Sequence, residues 1–233
     1  MCRKVSDDTV LHLATAEGLI EAGRTEDTDE INRIVAKHCK RGMRDMAGRC
    51  VGGERQPMCH PSLLVGVTDG LPFCFHIDRA PGNTTIRQFS AVGSEGQRWN
   101  ETRFNPRGGG CGAAMRSMCI GLRFPAADQQ RKLLEVALET GRTSHHNAIG
   151  YGGSIAGALF TALALRNGPP VVWGTELLRC DRTVRELLEN SGRDVAENLE
   201  SWDQFMGIWR RYLDSVCVPS LESSLRVAGI GSQ

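Results

Sequence analysis

The sequence predicts an all-α fold, and three observations carry that prediction. Aromatic residues make up only 6% of the 233 residues, while alanine and leucine are plentiful, which suits helices packed through small and aliphatic side chains. Apolar residues recur at three- and four-residue spacing in segment after segment, and no long stretch alternates with period two.

Taken in order, Ser6 to Ala22 reads as a helix, with Ser6 as N-cap and Asp7 and Asp8 in the first turn. Val10, Leu13, Ala14 and Ile20 supply its apolar face, and Gly23 is a natural C′ residue. A second helix spans Thr28 to Met46, with Ile31, Ile34, Val35 and Cys39 on one side. A third opens at a glycine cluster and covers Gly112 to Leu122, where Pro125 bars its extension. Gln130 to Thr140 and Asn147 to Leu165 follow; the latter is apolar almost all round, which makes it a central helix. Trp173 to Asn190 is the next. Asp194 to Leu213 comes last, with Val195, Leu199, Trp202, Phe205, Trp209 and Tyr212 at helical steps. Two segments stand apart. Residues 50–79 read as an atypical loop insert rich in cysteine and proline, and residues 215–233 read as a disordered tail.

Composition narrows the function classes. Apolar residues are 40% and charged residues 24%, with a net charge of +1, the balance of a globular protein rather than a disordered one. No overall charge excess marks a nucleic-acid or anionic-membrane partner, and the longest apolar run falls short of a bilayer span. The N-terminus lacks the apolar core of a secretory signal. Nine cysteines, an odd number with no C-x-x-C, suggest reduced thiols and a cytoplasmic protein.

Three constellations can carry chemistry. Ser6, Asp7, Asp8 and Thr9 place two carboxylates and two hydroxyls at a helix start, a donor set suited to a hard cation, though the same residues also make a good cap. Gly108-Gly109-Gly110-Cys111-Gly112, just before a helix, lets backbone amides approach an anion, or serves as a flexible turn that admits close helix packing. Ser144-His145-His146-Asn147, ahead of Gly150-Tyr151, offers an imidazole donor to a phosphate or ribose, or else a capping and packing histidine.

The order and spelling of these motifs resemble the ADP-ribosylglycohydrolase family. Val5-Ser6-Asp7-Asp8-Thr9 runs into His12-Leu13-Ala14-Thr15-Ala16-Glu17. Gly109 to Arg116, Met118 to Pro125 and Glu139-Thr140-Gly141-Arg142, leading to His145-His146, look like the ADP-ribosylarginine hydrolase branch. The resemblance covers Val5 to Arg49 and Ala80 to about Asp214. It implies an all-α orthogonal helical bundle, incomplete at both ends, with one partial domain over residues 1–214. It also implies cleavage of the N-glycosidic bond between ADP-ribose and a protein arginine, with two magnesium ions. Carried over residue by residue, Ser6, Asp7 and Asp8 match metal ligands, and Asp7 and Asp8 are tied to catalysis. Gly109, Gly110, Cys111 and Gly112 match the loop that cradles the ADP-ribose phosphates, and His145 and Tyr151 match positions near the nucleotide. The expected partners are ADP-ribosylated arginine in proteins and ADP-ribose, with neither nucleic acid nor membrane, bound by a monomer.

The family's late Asp-x-Asp-Ser/Thr motif, which supplies its second cluster of metal ligands, has no counterpart in this sequence. That departure supports an alternative expectation, a non-catalytic ADP-ribose-binding pseudoenzyme or an inactive truncated isoform.

Overall fold

The computed structural model describes residues 6–46, 67–68, 71–72, 82–92 and 98–227, with side chains for all of these except 45, 67–68, 71–72 and 217–227. Ser6 takes the extended backbone of an N-cap ahead of α1 (Asp7–Glu21), but its side chain makes no capping hydrogen bond. Gly23 ends that helix at φ +62°, with its N–H on the carbonyl of Ile20 at 3.0 Å, as a C′ glycine does. Asp27 caps α2 (Thr28–Met46), its Oδ1 accepting from the N–H groups of Asp29 and Glu30. The expected face of α2 is the buried one: Ile31, Ile34, Val35 and Cys39 all lie in the core.

The face of α1 differs from expectation. Leu11, Ala14, Thr15, Gly18 and Leu19 are buried, whereas Leu13 is 55% and Ile20 79% exposed. The cause is Gly18. A Cβ there would stand 2.7 Å from the Cα of Val35, so α1 and α2 cross backbone to backbone at this glycine. That crossing fixes the rotation of α1.

α3 (Asn83–Ala91), not foreseen from periodicity, buries Thr85, Ile86 and Phe89. The third expected helix is two pieces, a 3₁₀ turn at Ala114–Arg116 and α4 (Met118–Arg123). Ser117 divides them, its hydroxyl donating to the carbonyl of Ala114 at 2.9 Å in competition with helix propagation. α5 (Gln130–Arg142) and α6 (Ala148–Leu165) fall where expected. The Trp173–Asn190 segment is likewise two helices, α7 (Trp173–Arg179) and α8 (Asp181–Asn190), parted at Cys180. Both pack on α9 (Val195–Val227).

α9 continues through the expected tail as far as Val227. Each residue added to an existing helix gains a hydrogen bond without a new nucleation cost, and periodicity judged on that segment alone missed this. Of residues 50–79, the structure describes only a two-residue antiparallel ladder, Val67–Thr68 against Leu71–Pro72; the rest of the expected insert lies outside the described residues.

The core centres on α6, against which α4, α5, α7 and α9 pack. At 18 residues and a mean hydropathy of 1.5, α6 has the length and apolarity to cross a membrane, contrary to the sequence reading, and 61% of it is buried within this bundle. Its place inside the bundle gives its apolarity a structural use.

Candidate functional site

The glycine loop closes over the start of α6. A tight turn brings the Gly108 N–H to the Asn105 carbonyl at 2.8 Å, and the Asn105 N–H reaches the His146 carbonyl at 2.9 Å. Gly150, in the first turn of α6, meets the loop directly, since a Cβ there would lie 2.2 Å from the Gly108 carbonyl oxygen. Asn147 caps α6 by accepting from the Ile149 N–H at 3.0 Å. Ile149 lies beside Gly109 as an exposed apolar neighbour.

His145 lies beneath the loop. Cβ atoms placed on Gly110 and Gly112 would stand 3.3 and 3.1 Å from its Nε2, and the one on Gly112 would also lie 2.6 Å from the Thr85 Oγ1. Among the described residues, the amides of Gly109, Gly110, Cys111 and Gly112 donate to no protein acceptor. Gly109, Gly110 and Cys111 are exposed. A run of uncommitted N–H groups with an imidazole beside them has the donor chemistry of an anion cradle. The long helix expected to open at this loop is replaced by the 3₁₀ turn, so the amides rather than a helix dipole supply the positive field.

The two histidines occupy different environments. Burial and the nearby Arg116 charge push the His145 imidazole down to about 4. Burial and the Arg142 charge push His146 down to about 4 as well. Both are therefore neutral near pH 7. His146 is structural: its Nδ1 donates to the Thr102 carbonyl at 2.7 Å, and its Nε2 accepts from Arg142 Nε at 3.0 Å and Asn198 Nδ2 at 2.9 Å. Arg142 is itself held by Glu139, Ser191 and the Arg193 carbonyl. This network anchors the turn that presents His145.

Tyr151 is fully buried. Its ring stacks on Trp202 at 6.3 Å between centroids, and its hydroxyl reaches the Asn198 carbonyl at 3.4 Å. The structure therefore brings Gly109 to Gly112 together with His145, and sets Tyr151 in the core beneath them as support for α6. Thr85, Ser144 and Arg116, which periodicity did not single out as site residues, complete the floor of the cradle. Arg116 inside the motif Gly112-Ala113-Ala114-Met115-Arg116 and Ser144 beside His145 were the sequence hints of this; Thr85 had none.

The acidic pair stands at the start of α1, which packs on the 3₁₀ turn and on α4; the Cys119 thiol approaches the His12 carbonyl at 3.9 Å. Asp7 is half-buried and Asp8 exposed. Burial, and then the Asp8 charge, raise the Asp7 carboxyl above its ordinary range. Among the described residues no cationic side chain pairs with either carboxylate, and no group of three His, Cys, Asp or Glu converges to hold a metal. Two carboxylates and a hydroxyl are nevertheless oxygen donors of the type magnesium takes, an ion that keeps several waters and is commonly held by one or two carboxylates.

A sequence model of the family described as ADP-ribosylglycohydrolase matches residues 2–228 of the chain. The match runs through residues 50–79 and most of the tail, beyond the limits read from the motifs alone. The ADP-ribosylhydrolase ARH1 of Dictyostelium discoideum is 34% identical over 235 aligned residues, covering 97% of this chain and 52% of that protein. A protein of Acanthamoeba polyphaga mimivirus, L444, whose name also carries the words ADP-ribosyl glycohydrolase, is 30% identical over 214 residues, covering 90% of this chain and 36% of that protein. The chain thus spans about half the length of the first relative and about a third of the second.

Proposed function

The chain belongs to the ADP-ribosylglycohydrolase family, and on that premise we propose that it is a hydrolase that removes ADP-ribose from ADP-ribosylated arginine in proteins. The observation that carries this reading is the run of uncommitted amides from Gly109 to Gly112 over a neutral His145. Such a cradle suits a pyrophosphate, whose oxygens accept from the amides while the imidazole donates one further hydrogen bond. The name of the Dictyostelium relative supports ADP-ribosyl hydrolysis. The Glu139-to-Arg142 and Gly109-to-Arg116 motifs support arginine as the acceptor.

In this reading water adds to the anomeric carbon of the ribose, the C–N bond breaks, and the guanidine nitrogen takes the proton. Asp7 and Asp8 stabilise the positive charge that develops on the ribose ring, as carboxylates do in glycoside hydrolysis. Ser6, Asp7 and Asp8 would hold magnesium, which when bound orients the ribose hydroxyls and a water molecule and polarises them. Burial, and then the Asp8 charge, disfavour the ionised Asp7 carboxyl, and a bound cation would offset both. A reducing cytoplasmic setting goes with this reading, on the odd count of nine cysteines in the sequence.

A second reading, ADP-ribose binding without turnover, is favoured by one observation: no third carboxylate or histidine joins Asp7 and Asp8 among the described residues. A release assay on ADP-ribosylarginine protein with magnesium separates the two. Turnover that disappears in an Asp7→Ala/Asp8→Ala variant supports the hydrolase. Calorimetric binding of ADP-ribose with no turnover supports the second reading.

A further inference from the structure

Arg116 is fully buried. Its guanidinium carbon lies 5.3 Å from the centre of the Phe89 ring. Its Nη2 donates to the Thr140 carbonyl at 2.7 Å and to the Ser144 Oγ at 2.6 Å. Its Nε and Nη1 have no acceptor among the described residues. Burying a cation with donors unmet is costly, which directs attention to Ser144, the side chain that accepts a hydrogen bond from it.

The Ser144 Oγ also lies 2.9 Å from His145 Nδ1. A guanidinium can only donate. Ser144 therefore accepts from Arg116, and the acceptor within reach of its own proton is His145 Nδ1. The reverse polarity, with Nδ1–H donating to Ser144, would leave the proton of a buried hydroxyl without a partner. His146 shows the opposite case. Its Nδ1 faces the Thr102 carbonyl, which can only accept, so that ring carries its proton on Nδ1. The two adjacent imidazoles thus hold their protons on opposite nitrogens.

We propose that Arg116 and Ser144 are a positioning pair that locks neutral His145 in its Nε2–H tautomer, so that this N–H faces Gly110 and Gly112 as a donor to a phosphate oxygen of the ligand. The ligand half of this statement rests on the function proposed above; the tautomer half stands on the hydrogen bonds alone.

The test is a long-range ¹H–¹⁵N correlation spectrum of the full chain labelled at histidine, recorded at pH 7 without ligand, with His145 assigned by loss of its signals in His145→Gln. The expected spectrum shows His145 as Nε2–H and His146 as Nδ1–H. In Ser144→Ala, His145 shifts to a mixture of tautomers and the Kd for ADP-ribose rises about threefold to tenfold, the worth of one hydrogen bond. Ser144→Thr, which keeps the hydroxyl, restores both. His145 found as Nδ1–H or as imidazolium in the unmodified chain overturns the proposal, as does an unchanged tautomer in Ser144→Ala. If Ser144→Ala does not fold, the spectrum of the unmodified chain decides alone. The expected tautomers in a chain that binds no ADP-ribose would refute the ligand reading and leave the lock standing.

Discussion

The cradle and the acidic pair are built in opposite ways. The cradle is assembled from α3, the glycine loop, the 3₁₀ turn, the end of α5 and the start of α6, and its His145 and Ser144 side chains are each held by a neighbour. His145 is held by Ser144, and Ser144 by Arg116. The turn that presents them is anchored by His146, Arg142 and Asn198. The acidic pair, by contrast, is two adjacent carboxylates at one helix end with no cationic partner among the described residues. The first is preorganised, so a ligand there meets little ordering cost. The second carries unbalanced negative charge, which is useful only once a cation or a developing positive charge arrives.

If the cradle is preorganised, crowding it should have the largest effect. Gly112→Val would drive side-chain atoms into His145 and Thr85, since even a Cβ lies 2.6 Å from the His145 Cε1 and the Thr85 Oγ1. Overpacking of this kind costs about 1–3 kcal/mol, so ADP-ribose affinity should fall about tenfold to a hundredfold in calorimetry.

A second effect, on stability rather than on affinity, comes from acid. Both imidazoles titrate at about 4 in the fold, against about 6.5 in an unfolded chain. Between those values the unfolded state binds more protons, so stability is complete above about pH 6.5 and is lost as pH falls towards 4. Thermal melts should show a loss of a few kcal/mol across that window. His146→Gln should flatten the slope by roughly half, because its share would be removed.

The smallest effect is expected at the acidic pair. Asp7→Asn removes a carboxyl whose charge is disfavoured by burial and by Asp8. In the absence of metal the melt should be unchanged or rise slightly, by less than about 1 kcal/mol at this half-exposed site. A marked loss of stability would show that Asp7 serves the fold and would erase the contrast.

The sequence disclosed the parts of this contrast unequally. α2, α5 and α6 were legible because their apolar period is unbroken and each meets the core along its whole length. The motif residues Gly109 to Gly112 and His145 were legible too, and the structure brings them together. The face of α1 was not, because its rotation is set by the Gly18–Val35 crossing, a tertiary contact rather than a periodicity. The breaks at Ser117 and Cys180 were hidden for a similar reason, since each depends on a local side-chain bond to a backbone carbonyl. Tyr151 was read as a nucleotide neighbour from its place in a motif, while its stacking on Trp202 puts it in the core. Arg116 acts through Thr140 and Ser144, 24 and 28 residues away in the chain, a spacing that no local pattern encodes.

In the proposed function, binding belongs to the cradle and chemistry to the acidic pair. The most direct measurement pairs ADP-ribose calorimetry with a magnesium-dependent release assay on the unmodified chain and on Asp7→Ala/Asp8→Ala. The account predicts that the variant still binds ADP-ribose within a few-fold of the unmodified chain and releases none from arginine. Loss of binding in the variant, or equal release by both chains, would contradict it.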